Sequence, residues 1–363
     1  MFEKYPFEKL NELLEDISHP KEIISLTIGE PQFETPSFIQ KALCDNSKYL
    51  NKYPKTAGEE VLKEAQRDFV KRRFQVELKK DQLLPTFGTR ELLFNFPLFL
   101  RPKKMAFPNP FYQIYEGAAI AAGSEINYLP LIKKNDFKPK LTQLDGDEDL
   151  IILNSPNNPT ASVMSLDELS EWVEYALSKD IVILSDECYS EIYFDKKPPS
   201  ILEACIRVGN RDFKNVLAVN SISKRSSAPG LRSGFIAGDS EILKKYLQFR
   251  TYVGCASPLP LQFAAKVAWE DDIHVEVFRE KYKKNFEIAK EILGVKIPQA
   301  TFYIWLEVGD DIEFTKEAYR RGVKVMPGRF MGRGGIGEGY VRVALVYDED
   351  KTKRALKILK ELL

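Results

Sequence analysis

The 363-residue chain is 44% hydrophobic, which is enough apolar material for a large core and for two domains. It has 53 lysines and arginines against 53 aspartates and glutamates, and this balance argues against a nucleic-acid partner. With two histidines and four scattered cysteines, the sequence predicts no metal site, no histidine-based triad, and free thiols in a reducing compartment.

The N-terminal stretch MFEKYPFEKLNELLED alternates charged and apolar residues and contains no apolar core of a secretory signal. No apolar run approaches the ~20 residues that a membrane-spanning helix needs. We therefore expect a soluble, cytoplasmic protein without a membrane partner.

Short apolar runs alternate with amphipathic segments through the middle of the chain. This pattern is typical of an α/β fold with a mostly parallel sheet that helices cover on both faces. In chain order the predicted strands are Met105–Phe107, Glu125–Leu129, Leu150–Leu153, Ile181–Leu184, Val216–Val219 and Phe235–Ala237. Between the third and fourth strands, Ser165 and Glu168 have the spacing of a capping box and predict a helix start.

The C-terminal third has a different pattern. Residues 242–293 are predicted to be mostly helical. The elements predicted after them are a strand at Phe302–Leu306, a helix near Thr315–Arg320, strands at Val323–Met326 and Tyr340–Val346, and a helix at Asp348–Leu363. We expect a large domain at residues 40–240 and a smaller α+β domain formed by residues 1–39 plus 241–363.

Polar residues follow three consecutive predicted strands. The strand at 150–153 leads into Asn154–Thr160, the next into Ser185–Tyr189, and the third into Asn220–Lys224. Ligands of open α/β sheets bind outside the carboxyl ends of the strands, so these residues are predicted to converge on one pocket.

Taken singly, each of these features has an ordinary structural reading. The segment Asn157–Thr160 makes a good turn, Asp186 could cap a helix, and Lys224 could be a solvated loop lysine. Gly230 and Arg232 could form a turn with a surface arginine. The ordered combination at strand ends is what favours a functional site.

The ordered set of motifs resembles the class I/II aminotransferases, which are pyridoxal 5′-phosphate enzymes of fold type I. The resemblance covers essentially the whole chain. The motifs that carry it are Thr27–Pro31 with Thr35-Pro36, Lys52–Pro54, Ala57-Gly58, Gly88–Glu91, Pro108–Tyr112, Asn154–Thr160, Asp186–Tyr189, Ser221–Gly234 and Tyr340–Arg342.

The resemblance makes Lys224 the lysine that condenses with the cofactor aldehyde and later serves as the base for the proton shift. It places Asp186 on the pyridine nitrogen, where a carboxylate keeps that nitrogen protonated. Asn158 and Tyr189 match positions that hydrogen-bond the 3-hydroxyl. Tyr112 matches the aromatic residue that stacks on the ring, although an ordinary core aromatic remains the alternative.

The resemblance also assigns residues to the cofactor phosphate and to the substrate. Backbone N–H groups of Gly88, Thr89 and Arg90, at a predicted helix start, would form an anion site together with Ser221 and Arg232, with Tyr53 reaching in from a partner subunit. A homodimer with shared sites is therefore implied. Arg342 would clamp the substrate α-carboxylate, with Gly29 and Asn158 beside it.

One residue departs from the family pattern. Ala161 stands where the family commonly has glycine after Asn-Pro-Thr. Because alanine resists positive φ, we expect this turn to keep a negative φ.

Within the family, the chain most resembles N-succinyl-diaminopimelate aminotransferases of the epsilonproteobacterial type. The residues that carry this resemblance are Pro108–Ala118, Ser223–Phe235 and Gly337–Val346. It implies lysine biosynthesis, with 2-oxoglutarate and glutamate as one substrate pair and a distal carboxylate on both amino donors. Arg225, Arg329 and Arg333 are candidate partners for that carboxylate, although each fits a surface arginine better.

Three other functions stay open. One is an aspartate- or aromatic-type aminotransferase of broader specificity. Another is a fold-type-I C–S lyase, which would share nearly all the cofactor residues. A cofactor-binding regulator is disfavoured, because the family pattern begins by Gly29 and leaves no room for a DNA-binding domain before it.

Overall fold

The computed structural model describes residues 2–363. Its main feature is a seven-stranded sheet whose spatial order is β2-β8-β7-β6-β5-β3-β4. The strands are β2 (Leu83–Phe87), β3 (Lys104–Asn109), β4 (Glu125–Pro130), β5 (Leu150–Asn154), β6 (Val182–Asp186), β7 (Val216–Ser221) and β8 (Ser233–Gly238). Strand β8 pairs antiparallel with both β2 and β7, and the other four pairings are parallel, so the prediction of a mostly parallel sheet is confirmed.

The six predicted strands of this sheet are all present, and the seventh, β2, was missed. Pro85 stands in the middle of β2 and interrupts the apolar signal there. A proline cannot donate to a neighbouring strand, and it is tolerated here because β2 is an edge strand that pairs only with β8.

Helices cover both faces of this sheet. They are α2 (Ser37–Asn46), α3 (Glu60–Phe74), α4 (Gly88–Leu100), α5 (Ile114–Ala122), α6 (Leu166–Lys179), α7 (Ile201–Arg207), α8 (Ile222–Arg225), α9 (Ser240–Val253) and α10 (Leu259–Glu270). One core joins α3, α6, α7 and α10 to one sheet face, and a second joins α4, α5 and α9 to the other. The predicted capping box at α6 is confirmed, since the Glu168 N–H donates to Ser165 Oγ over 3.2 Å and the Ser165 N–H donates to Glu168 Oε2 over 2.8 Å.

The remaining elements pack around two small sheets. Strands β9 (Tyr303–Glu307), β11 (Met326–Pro327) and β12 (Tyr340–Ala344) form one, and β1 (Ile24–Ser25) pairs with β10 (Val323–Lys324) in the other. Their helices are α1 (Pro6–Leu14), α11 (Ile273–Leu293), α12 (Asp311–Arg320) and α13 (Glu349–Lys360). The domain bounds stay a prediction, and the packing of α9 and α10 on the large sheet favours a boundary after residue 270 rather than at 240.

Among residues 2–363, no helix combines the length and the apolar composition that crossing a bilayer requires. Three acidic residues outside the sheet core, Asp145, Asp147 and Glu148, lie close enough to share a cation. The ammonium of Lys104 already contacts two of them, at 2.6 Å from Asp145 and 2.7 Å from Asp147.

Candidate active site

A cavity of about 520 Å³ lies where β5, β6 and β7 end. The predicted site residues that line it are Gly29, Thr89, Arg90, Tyr112, Asn158, Asp186, Tyr189, Ser221, Lys224, Arg232 and Arg342. The three polar segments therefore converge because parallel strands deliver their carboxyl ends to one edge of the sheet.

Lys224 stands on α8, a single helical turn that follows β7 directly. Its Nζ donates a hydrogen bond to the carbonyl oxygen of Gly29. Burial lowers the pKa of Lys224 to about 8, and the nearby guanidinium groups of Arg342 and Arg232 act in the same direction. The amine is therefore neutral, and nucleophilic, at a far lower pH than an ordinary lysine.

Asp186 ends β6 and is buried. Its Oδ2 accepts a hydrogen bond from the Tyr115 hydroxyl over 2.7 Å, and its Oδ1 accepts one from the Cys188 N–H over 3.2 Å. Burial raises the pKa of this carboxyl group. Among the described residues, the side-chain partners of this carboxyl group are Tyr115 and Cys188 and include no lysine or arginine. A positively charged ligand group in the cavity would therefore form a buried ion pair with Asp186.

The start of α4, Arg232 and Ser221 together offer hydrogen-bond donors and a positive charge, and we call this group the anion cradle. Helix α4 begins at Gly88, so its first N–H groups have no partner inside the helix. Arg232 follows the turn at Pro229–Leu231, and its guanidinium lies against Gly88. A Cβ on Gly88 would lie 2.2 Å from Arg232 Nη2, and φ at Gly88 is +70°, so this position requires glycine. Ser221, at the end of β7, completes the cradle.

Arg342 extends from β12 to the opposite wall and is buried. Its guanidinium donates to Asn158 Oδ1 over 2.6 Å and to the carbonyl oxygen of Thr27, and it lies over the Tyr303 ring at 4.5 Å from the centroid. Its Nε has no partner among residues 2–363. Gly29 lies beside it, where a Cβ would come within 1.7 Å of the Tyr303 hydroxyl.

Four tyrosine side chains, those of Tyr112, Tyr115, Tyr189 and Tyr303, also line the cavity. Tyr189 forms a 2.8 Å hydroxyl–hydroxyl hydrogen bond with Tyr303. Tyr112 lines the cavity, accepts a 2.8 Å hydrogen bond from Arg90 Nε and packs edge-on against Tyr115. Sequence reasoning missed Tyr115 and Tyr303, because their spacing within a helix and a strand is that of ordinary core residues.

Tyr53 is the one predicted site residue that lies apart. It is fully exposed and lines a different cavity, of about 510 Å³, together with Leu50, Pro258 and Pro260. Leu50 and Tyr252 are also largely exposed, at 75% and 88%. Within a single chain, Tyr53 therefore does not join the residues around Lys224.

The expectation for Ala161 was wrong, because its φ is +62°. The turn is fixed from both ends, with the Ala161 N–H donating to the Asn157 carbonyl over 3.0 Å and the Asn157 N–H donating to the Ser162 carbonyl over 2.9 Å. The Ser162 hydroxyl is held in turn by the Phe137 carbonyl oxygen. These contacts outweigh the ~1 kcal/mol that a left-handed alanine costs.

None of the three arginines considered for a distal carboxylate lines the cavity. Arg225 is fully buried, so its interpretation as a surface residue was wrong. Arg329 pairs with Asp311, and Arg333 pairs with Glu116. The arginines that line the cavity are Arg232, Arg342 and Arg90. The backbone of Arg90 belongs to the first turn of α4, and its side chain is exposed.

A nucleophilic lysine, a buried carboxylate and an anion cradle in one cavity define a site for a phosphorylated aldehyde with a basic ring nitrogen. Pyridoxal 5′-phosphate has these three groups, and the side chains present fit each of them. The glycine at position 88, which leaves room for the Arg232 guanidinium, is the observation that fits the phosphate best.

Comparison with known proteins agrees with this class. Residues 21–359 match the family model of aminotransferases class I and II, so the chain belongs to that family, whose members depend on pyridoxal phosphate. An aminotransferase AspB from Helicobacter pylori 26695 is 50% identical with a TM-score of 0.96, over 99% of this chain and 98% of its own.

Two further relatives are similar over nearly their whole length. An aminotransferase from Neisseria meningitidis Z2491 is 40% identical with a TM-score of 0.94, and the match covers 100% of this chain and 98% of that one. The LL-diaminopimelate aminotransferase of Natranaerobius thermophilus is 32% identical over 98% of this chain and 96% of its own.

Proposed function

We propose that the protein binds pyridoxal phosphate in the cavity around Lys224 and transfers amino groups from a dicarboxylic donor to 2-oxoglutarate. The observation that carries the cofactor site is the pairing of a lysine whose pKa is about 8 with Asp186 in the same buried cavity. In this assignment Lys224 holds the cofactor through its amine and Asp186 faces the ring nitrogen.

We assign the other cofactor contacts to side chains and N–H groups that line the cavity. The first turn of α4 (Gly88, Thr89, Arg90), Ser221 and Arg232 would hold the phosphate. Tyr189 and Asn158 would face the 3-hydroxyl. Tyr112 would lie against the ring.

When bound, the cofactor supplies an electron sink for the charge left on the substrate Cα. The amine of Lys224 is the base that removes the Cα proton, and its lowered pKa suits that task near neutral pH. In this assignment Arg342 binds the α-carboxylate through two parallel N–H groups, and Asn158 and the backbone of Gly29 make further contacts to the same carboxylate. These contacts position the Cα–H bond toward Lys224.

We propose that the donor is N-succinyl-L,L-diaminopimelate, as the resemblance in the sequence implies. The cavity is also lined by the apolar side chains of Phe7, Ile28, Met326 and Met331, here called the apolar wall, which suit a methylene chain. The cation of Arg90 lines the same cavity and would pair with the distal carboxylate. A relative named LL-diaminopimelate aminotransferase supports a diaminopimelate-type donor. A broader aromatic specificity is the second candidate, because the same apolar wall would accept an aromatic side chain.

Assembly is part of the proposal. Tyr53, Leu50 and Tyr252 are large side chains with apolar surface that are mostly exposed, and Tyr53 and Leu50 line one cavity. Exposed residues of this kind are typical of surfaces that pair with another subunit. In a homodimer with shared sites, Tyr53 would reach the phosphate of the partner.

A panel of donors tests the substrate. N-succinyl-diaminopimelate, aspartate, phenylalanine and alanine are each assayed with 2-oxoglutarate as acceptor, and glutamate is assayed with pyruvate as acceptor. Pyruvate and ammonia release from cystathionine, without an added 2-oxo acid, is measured in parallel to detect a C–S lyase. We expect the succinylated donor to have the highest kcat/KM. A charge-assisted contact of ~1.5–3 kcal/mol with Arg90 predicts that Arg90→Gln lowers this value roughly ten- to hundred-fold more than it lowers the kcat/KM of alanine, which has no distal carboxylate. Aspartate or phenylalanine exceeding the succinylated donor would contradict the assignment.

A further inference from the structure

The three residues after Lys224 are tied to three different parts of the molecule. Arg225 Nη1 donates to the Ala268 carbonyl in α10 over 2.7 Å, and Nη2 donates over 2.8 Å to Oδ1 of Asp272, the residue before α11. The Ser226 hydroxyl bonds His274 Nε2 over 2.9 Å, at the start of α11. The Ser227 hydroxyl donates to the carbonyl oxygen of Phe33.

The Ser226 contact continues into a chain of three side chains. His274 Nδ1 lies 2.5 Å from Asp271 Oδ1, so Nδ1 carries the hydrogen and Nε2 accepts the hydrogen bond from Ser226. Burial lowers the pKa of His274, which favours this neutral form. Besides Asp271, the charged groups that face the ring are Arg225 and Asp272.

The arrangement resembles a nucleophilic triad in its order, but its chemistry is different. Ser226 is completely buried and does not line the cavity, so no substrate reaches its hydroxyl. Ser226 instead stabilises the end of α8, because its backbone N–H donates to the Ile222 carbonyl over 2.9 Å while its hydroxyl bonds His274. The other end of the turn is capped by Ser221 Oγ, which accepts from the Ser223 N–H over 3.1 Å. Lys224 thus stands on a short turn fixed at both ends.

We propose that Ser226 and His274 are positioning residues that act through α8 to hold the Lys224 amine in reach of its reaction partners. The proposal rests on the proposed function, because it concerns Lys224 as the cofactor lysine. A four-residue helix has too few internal hydrogen bonds to keep its own orientation. Side-chain anchors must therefore set where Lys224 points, and a displacement of ~1 Å is enough to cost up to ~100-fold in rate.

The hydrogen bond between Ser226 and His274 also links the segment after β7 to the part of the molecule that contains the small sheets. His274 is in the first turn of α11, whose later residues Phe286, Ala289 and Leu293 pack in the core of the small sheets with β12. Arg342 stands on β12. His274, which anchors the segment after Lys224, and the strand that carries Arg342 therefore belong to one packed unit. Because Ser226 does not line the cavity, its substitution is expected to change the orientation of Lys224 without removing any group from the cavity.

The test compares Ser226→Ala and His274→Phe, which keeps the ring between Phe38 and Phe278, with a matched control. Ser170→Ala removes the hydroxyl of another buried serine, on α6, where it bonds only the Leu166 carbonyl. The first readout is the rate at which the apoprotein forms its yellow adduct with pyridoxal phosphate. The second is the pH midpoint of that rate, and the third is the kcat and KM of transamination.

We expect Ser226→Ala and His274→Phe to slow adduct formation about tenfold and to shift its pH midpoint, with kcat falling five- to fifty-fold and KM staying within about twofold. The double variant should match the more severe single variant, because both residues act in one chain. His274→Gln, which retains a hydrogen-bonding group, should recover part of the rate. Ser170→Ala should match the parent.

Two results would overturn the proposal. One is a lower melting temperature of the variants together with an unchanged rate and pH midpoint of adduct formation, because this result would show a purely structural role. The other is full additivity in the double variant. The Lys224→Ala variant separates failure of this proposal from failure of the proposed function. An adduct that still forms without Lys224 would refute the assignment of Lys224 as the cofactor lysine.

Discussion

The guanidinium of Arg342 donates a hydrogen bond to the side-chain oxygen of Asn158 over 2.6 Å and so joins β12 of the C-terminal sheet to the loop after β5. The two residues are separated by 184 positions in the sequence. A substrate carboxylate that binds both would therefore contact both parts of the fold at once. This geometry suits closure of the cavity around a bound substrate.

The first prediction concerns this arginine. Arg342→Lys keeps the charge but loses the planar pair of N–H donors, so kcat/KM should fall roughly ten- to hundred-fold for every amino donor alike. Steady-state assays with glutamate and alanine measure it. A loss confined to dicarboxylic donors would instead place Arg342 at the distal carboxylate.

The second prediction concerns the anion cradle. Gly88→Ala would force a Cβ to within 2.2 Å of Arg232 Nη2 at a φ of +70°, so the Kd for pyridoxal phosphate should rise at least about tenfold. Gly117→Ala is the matched control, because a Cβ there meets nothing within 4 Å. Fluorescence titration of the apoproteins measures both. Equal affinities in the two variants would show that the phosphate binds elsewhere.

The third prediction concerns pH. Burial lowers the pKa of Lys224 from 10.5 to about 8, and only the neutral amine attacks an aldehyde. The rate of adduct formation in the apoprotein should therefore rise about tenfold per pH unit below pH 8 and level off above it. Stopped-flow absorbance between pH 6.5 and 10 records the profile. A rate that keeps rising to pH 10 would mean that Lys224 titrates like a solvated lysine.

The fourth prediction concerns assembly. Mixed dimers of Tyr53→Ala and Lys224→Ala subunits should recover activity, because one of the two shared sites then retains both parent residues. Each homodimer alone should bind the cofactor weakly or fail to turn over. Purified heterodimers that stay inactive would contradict the sharing of Tyr53 across the interface.

The sequence predicted the parts of the site that local pattern determines. Buried strands that end in Asn154, Asp186 and Ser221 were readable because apolar runs stop there at polar residues. The contacts that depend on distant packing were not readable. The positive φ of Ala161 comes from hydrogen bonds that close its turn, and Tyr303 reaches Tyr189 only through the packing of the small sheet on the large one.

The burial of Arg225 was missed for a related reason. A lysine–arginine pair in a serine-rich segment has the composition of a solvated loop. The carbonyl oxygens at the end of α10 and the rings of Phe69 and Trp269, at 4.9 Å and 5.2 Å from its guanidinium, satisfy this arginine in the core. No short-range pattern encodes these partners, because they lie more than forty residues away on either side.

The most direct measurement is to reduce the yellow holoenzyme with borohydride, digest it and locate the modified lysine by mass spectrometry. The account predicts that the reduced cofactor is attached to Lys224 and that Lys224→Ala forms no reducible adduct. Attachment to any other lysine, or an adduct that persists in Lys224→Ala, would contradict it.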